Sequence, residues 1–165
     1  ASFVEGAPTA RYSIENQSQG RRSITSVTFM LDSAAGNLIF DTENGGGGVE
    51  VFQPFKEVTA TPASSSSSAK LRRVSNLRDG GATMNMDFTH FEPGEGYSFT
   101  IDIDDQLQAS AAKSELGQIR VSAGELEGAT IRFVLASLTG EIVEASTQFN
   151  ASNEAVLKGQ TCTQG

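Results

Sequence analysis

The chain has no tryptophan, one histidine, one cysteine and two tyrosines among its 165 residues. Each scarcity closes off a class of chemistry. Cys162 cannot form a disulfide within the chain; it reads either as a free thiol near the end or as a bridge to another chain. His90 and a distant Cys162 do not make a zinc site, which needs several nitrogen or sulfur ligands held together. A Ser-His-Asp arrangement would have to use His90, in "FTHFEPG", and no G-x-S-x-G turn offers it a nucleophile. The glycine run at 45–48 lacks the following Lys-Ser/Thr of a phosphate loop. Paired carboxylates of a glycosidase work beside aromatic sugar platforms, and only Tyr12 and Tyr97 join the phenylalanines here. The expectation is a protein that is not an enzyme.

Clustered positive charge and long apolar runs are missing too. Lys and Arg number 12 against 20 Asp and Glu, for a formal net charge of −8. The pairs at 21–22 and 72–73 stand alone, so phosphate backbones find no basic stripe and no nucleic-acid partner is expected. No apolar stretch approaches the roughly 18 residues of a membrane-spanning helix. The chain opens on Ala1 without an apolar leader, as a mature form or an excised piece would. An acidic surface suits solubility and divalent cations.

What is present is period-two alternation. Val27, Phe29 and Leu31 fall on one face of an extended chain; so do Met84, Met86 and Phe88. Tyr97, Phe99, Ile101 and Ile103 form a third stripe, and Ala129, Ile131, Phe133 and Leu135 a fourth. Turn signals lie between: Asp79-Gly80-Gly81, "EPGEG" at 92–96 and "SLTGE" at 137–141. No segment carries a helical stripe, and "QASAAKSELG" at 108–117 reads as a loop or a short helical turn. The pattern predicts an all-β fold, an antiparallel β-sandwich of about eight to ten strands in a single domain over 1–165. Within it, "ATPASSSSSAK" at 60–70 reads as a flexible Ser-rich loop, and about 159–165 as a mobile tail. The four glycines at 45–48 suit a wide turn or a close approach of backbones.

The acids are placed unevenly. In "FTIDIDD", Asp102 and Asp104 project from one face of a strand with Cα atoms roughly 7 Å apart. Their repulsion in water is only about 0.6 kcal/mol at that spacing, so a solvated acidic edge explains them without an ion. Asp105 follows at the strand's end, and Asp32, Asp41 and Glu125 sit at the ends of other strands. Calcium takes six to eight hard oxygens, which strand ends and loops supply together. Two aspartates cannot enclose an ion, so a distant segment has to complete the shell; the Asp41 turn before the glycine run is the expected one. The candidate calcium ligands are therefore Asp41, Asp102, Asp104 and Asp105. Two sequons, Asn16-Gln17-Ser18 and Asn150-Ala151-Ser152, mark candidate N-glycosylation sites at Asn16 and Asn150.

Three strings, "SAAGNLIFDTENGGGGVEVFQPF" (33–55), "FEPGEGYSFTIDIDD" (91–105) and "VSAGELEGATIRF" (121–133), resemble the aggregation factor core protein family of marine sponges and its relatives in marine bacteria. The resemblance runs in order across the middle two thirds of the chain. It implies a secreted, glycosylated core module of a proteoglycan-like particle on the cell surface or in the extracellular matrix. Such modules associate with copies of themselves into a ring or rod, bear glycans and support calcium-dependent cell adhesion. Asp41, Asp102, Asp104 and Asp105 fall inside the matching strings. The alternative reading is a lectin-like module that grips sugar hydroxyls through calcium. An exposed aromatic beside the acids would mark that case, and the alternation turns Tyr97, the nearest one, inward.

Overall fold

The computed structural model describes residues 1–4, 11–19, 21–34, 36–48, 52–58, 69–105 and 126–157. Eleven strands and no helix occur among them: β1 (Ser2–Val4), β2 (Arg11–Glu15), β3 (Arg22–Met30), β4 (Leu38–Asp41), β5 (Lys56–Glu57), β6 (Lys70–Ser75), β7 (Thr83–His90), β8 (Gly96–Thr100), β9 (Asp102–Asp105), β10 (Thr130–Ser137) and β11 (Ile142–Gln148). They form a five-stranded sheet in the order β11-β10-β3-β7-β6, a four-stranded sheet β1-β2-β8-β5, and a pair β4-β9. Every pairing is antiparallel. The fold is an all-β antiparallel sandwich, with one strand more than the upper expectation because two-residue β5 and three-residue β1 are too short to show a period. No helix among the described residues is long and apolar enough to cross a membrane.

The alternating stripes are the inner faces of the sheets. Val27, Phe29 and Leu31, Met84, Met86 and Phe88, and Ile131 and Phe133 are all buried in one cluster with Tyr12, Tyr97 and Phe99. The two larger sheets meet through aromatic rings. Tyr12 stacks on Phe99 at 5.0 Å within one sheet, and Phe29 of the other meets both edge-on at 5.9 and 5.7 Å. Edge-to-face contacts set the positive rim of one ring against the negative face of another, so the rings bring both area and orientation to the interface.

The expected hairpins form. β6 and β7 pair across the turn at Asp79-Gly80-Gly81, where Gly80 has φ +69° and Gly81 N–H donates to Arg78 O at 2.9 Å. β10 and β11 pair across "SLTGE", with Gly140 at φ +84°. A side chain at either glycine would meet a left-handed backbone that only glycine adopts without cost.

The run 96–105 departs from the single strand its alternation predicts. β8 lies between β2 and β5, then the chain passes through Ile101 and continues as β9 against β4. One extended run thus serves two sheets, and Ile101 at the crossing is fully buried. Asp105 is the last residue of β9, opposite Leu38, so the strand continues through it. Of the Ser-rich segment, 60–68 lies outside the described residues; Ala69 is buried and Lys70 begins β6. Residues 108–117, Glu125, the tail 159–165 and Cys162 also lie outside the described residues.

Candidate metal centre

β4 and β9 bring three carboxylates together. In their register Asp41 opposes Asp102 and Ile39 opposes Asp104. Alternation puts Ile39 and Asp41 on one face of β4, and Asp102 and Asp104 on the matching face of β9. Phe40 and Ile103 turn the other way and are buried in the core. One carboxylate oxygen from each of Asp41, Asp102 and Asp104 lies within 4.8 Å of the others. Oxygens on opposite sides of a calcium ion stand about 4.6–5.2 Å apart, so the group spans no more than one coordination sphere.

This face is roofed. Gly47 stands over Ile39 and Gly80: a Cβ on it would lie 3.2 Å from Ile39 Cδ1 and 3.1 Å from Gly80 Cα. At Gly48 a Cβ would collide with the carboxylates of both Asp41 and Asp104. The glycine run is therefore a close backbone approach to the acids. Under this cover Asp41 is 3% exposed and Asp104 8%, which is not how a solvated acidic edge behaves. Asp102 is half-buried. Gln53 closes the side of the group: its N–H donates to Asp41 O and its carbonyl accepts from Asp102 N–H, both at 3.1 Å.

A fourth carboxylate, Asp79, stands beside Asp41 in the β6–β7 turn. That turn is held along β4 by Gly80 N–H to Phe40 O (2.9 Å) and Phe40 N–H to Gly81 O (2.8 Å). Asp79 Oδ1 accepts from Thr42 N–H at 2.8 Å and Glu43 N–H at 3.0 Å, and its Oδ2 from Gly47 N–H at 2.8 Å. These donors, Thr42 and Gly47 foremost, hold its pKa below the usual carboxylate value. Its neighbours move the other way. Burial first, then the charges of Asp104 and Asp79, push Asp41 up to about 6. Burial, then Asp104 and Asp41, push Asp102 up to about 7. Asp41 Oδ1 is buried and accepts no hydrogen bond from the described residues. A buried carboxylate oxygen without a donor is costly, and a cation supplies what it lacks. All candidate donors are hard oxygens, which suits calcium or magnesium and no softer metal.

The other expected sites separate. Asp32 is exposed in the turn after β3, apart from the group. The Asp105 side chain lies outside what is described. Asn16 is 2% exposed, and its Nδ2 donates to Arg22 O and Phe91 O, each at 2.9 Å. Both amide hydrogens are thus committed inside the fold, where a glycan on that nitrogen has no room. Asn150 is exposed, and its Oδ1 accepts from Ser152 N–H and Glu154 N–H at 2.9 and 3.0 Å. His90 is on the surface with Nε2 3.0 Å from Glu95 Oε1.

Asp79 and Phe52 stand beside the group at places that pattern reading does not assign them. An Asp before Gly-Gly is a turn signal first, and only the folding of the hairpin onto β4 sets it under the glycine loop. Phe52 is 43% exposed and lines an open hollow of about 220 Å³ with Asp41, Glu43, Asn44, Gly45 and Gly48. Comparison with protein-family models, curated proteins and solved structures gives no match.

Proposed function

We propose that the chain is a structural module of an extracellular adhesion assembly, which associates with copies of itself and is stabilised by calcium held at Asp41, Asp102 and Asp104. The observation that carries the metal part is the convergence of those three carboxylates under a glycine roof, with Asp41 Oδ1 buried and without a donor among the described residues. The resemblance of three strings to aggregation factor core proteins supports the adhesive role, the secreted location and the glycans. Asn150 is the sequon whose exposure suits a glycan. Cys162 is available by sequence for a bridge between chains. Light scattering and native mass spectrometry test the reading together. An oligomer that binds calcium and loosens in chelator is expected. A strict monomer indifferent to chelator overturns it.

Phe52 favours a second reading, the calcium-dependent lectin-like module. An exposed ring beside Asp41, with Glu43 and Asn44 across the hollow, offers an apolar face and hydrogen-bonding groups to a sugar near the cation. Binding of the isolated protein to a glycan array, lost in Asp104→Asn and weakened in Phe52→Ala, would favour it. An array without signal in saturating calcium removes it.

A further inference from the structure

We propose that Asp79 is the positioning residue of the cation site: it ties the glycine loop down over Asp41 and Asp104 and is not itself a ligand. The inference rests on the cation reading above and adds to it the part that sets the roof.

The three N–H groups that reach Asp79 come from both ends of the loop. Thr42 and Glu43 lie just after β4, and Gly47 lies one residue before the glycine that touches the acids. One carboxylate thereby pins the loop's start to its finish. Gly46 sits so close that a Cβ there would collide with the Asp79 carboxylate. Gly48 makes the same approach to Asp41 and Asp104. Alternate residues of the glycine run are thus pressed onto two carboxylate groups, one the brace and the other the ion-binding pair. The brace is firm because its turn is bonded to β4 on both sides of Phe40.

Hydrogen bonding separates the two roles. Three backbone N–H groups take three of the roughly four lone-pair positions of the Asp79 carboxylate, which leaves it little to offer an ion. Asp41, next to it, has a buried oxygen that accepts no hydrogen bond from the described residues. Groups that orient ligands from outside the coordination sphere commonly change metal affinity by about 10–100-fold when removed. Asp79 is expected in that range although it does not touch the ion.

The test uses the full chain freed of metal by chelator and titrated calorimetrically with calcium chloride. Terbium luminescence lifetimes in H2O and D2O count the waters on the bound ion. Asp79→Ala is expected to weaken calcium binding about tenfold or more and to admit at least one further water to terbium. Asp79→Asn keeps an acceptor for Thr42 and Glu43 but turns an NH2 toward Gly47, so it falls between. Gly48→Ala, at a position without positive φ, lifts the roof from the ligand side and shows the same loss with the brace intact. If Asp79→Ala fails to fold, Asp79→Asn, which retains the bonds from Thr42 and Glu43, carries the test. If the wild-type chain binds no calcium, the cation reading fails and takes this one with it. If the wild type binds and the Asp79 variants match it in affinity and hydration while only their melting temperatures fall, Asp79 is a stability residue and the positioning role is overturned, whatever Gly48→Ala does.

Discussion

Asn16 and Asn150 carry the same three-residue motif and opposite duties. Asn16 donates to the carbonyls of Arg22 and Phe91, the second of them buried, and accepts from Ser18 N–H at 3.0 Å. Asn16→Ala removes these three hydrogen bonds, while Arg22 O keeps the Ser18 hydroxyl and Phe91 O keeps Ile24 N–H; it is expected to cost about 1–3 kcal/mol in urea unfolding, the net worth of the bonds lost. In a host that attaches N-glycans, peptide mapping is expected to find Asn150 modified and Asn16 bare. A glycan on Asn16 in folded protein would contradict its burial. Asp41 gives a prediction of opposite sign. Asp41→Asn removes a buried charge from beside Asp104 and Asp79. The metal-free variant is therefore expected to melt a few degrees higher than wild type at pH 7.5, while the calcium-dependent rise disappears. Differential scanning calorimetry with and without chelator reads both effects. Such differences were not legible in the motifs, because a sequon and an acid report residue type, and burial decides what the residue does.

The strands differ in how openly the chain writes them. β3, β7 and β10 alternate because each has one face on the core and one outward, and Val27, Phe29, Met84, Met86, Ile131 and Phe133 mark the inner side. β4 does not alternate, since Leu38, Ile39, Phe40 and Asp41 are all buried, one side by the core and the other by the glycine roof. Its alternation is hidden by that cover, and only the acid at its end marks it in the sequence. The crossing at Ile101 is hidden for a different reason: the stripe Tyr97, Phe99, Ile101, Ile103 continues unbroken while the partners change from β2 to β4. The spacing of Asp102 and Asp104 sets them on one face, and the Asp41 turn is the natural segment to meet them. The brace at Asp79 depends on hairpin packing that no local pattern encodes. Ile101→Ala is expected to cost about 2–5 kcal/mol, the range for emptying a buried aliphatic site. It should also weaken calcium binding, because β9 loses its anchorage where it leaves the four-stranded sheet. Equal calcium affinity in that variant would mean that β4 and β9 hold their register without the crossing.

Acid and calcium should act on the folded molecule as alternatives. Asp41 and Asp102 titrate near 6 and 7 in the fold, above the ordinary carboxylate value of 3.8. A raised pKa means the native state holds its proton more tightly than the unfolded chain, so this contribution is fully present below about pH 4 and is lost as the pH rises through about 6 and 7. Asp79 and Asp87 have lowered values, and the stability they bring is lost as the pH falls below the ordinary carboxylate range. Metal-free protein is therefore expected to melt at a lower temperature at pH 8 than at pH 5, and calcium to restore it at pH 8 with little effect at pH 5. A melting curve flat between those values in chelator would contradict the buried acid pair. The run from β8 through Ile101 into β9 has a mechanical side as well. Backbone that belongs to two sheets is a shared cable, and the hydrogen bonds along it lie across its length. Tension applied along that cable loads the rungs of both ladders together in shear, so the sheets yield as a unit instead of unzipping one rung at a time.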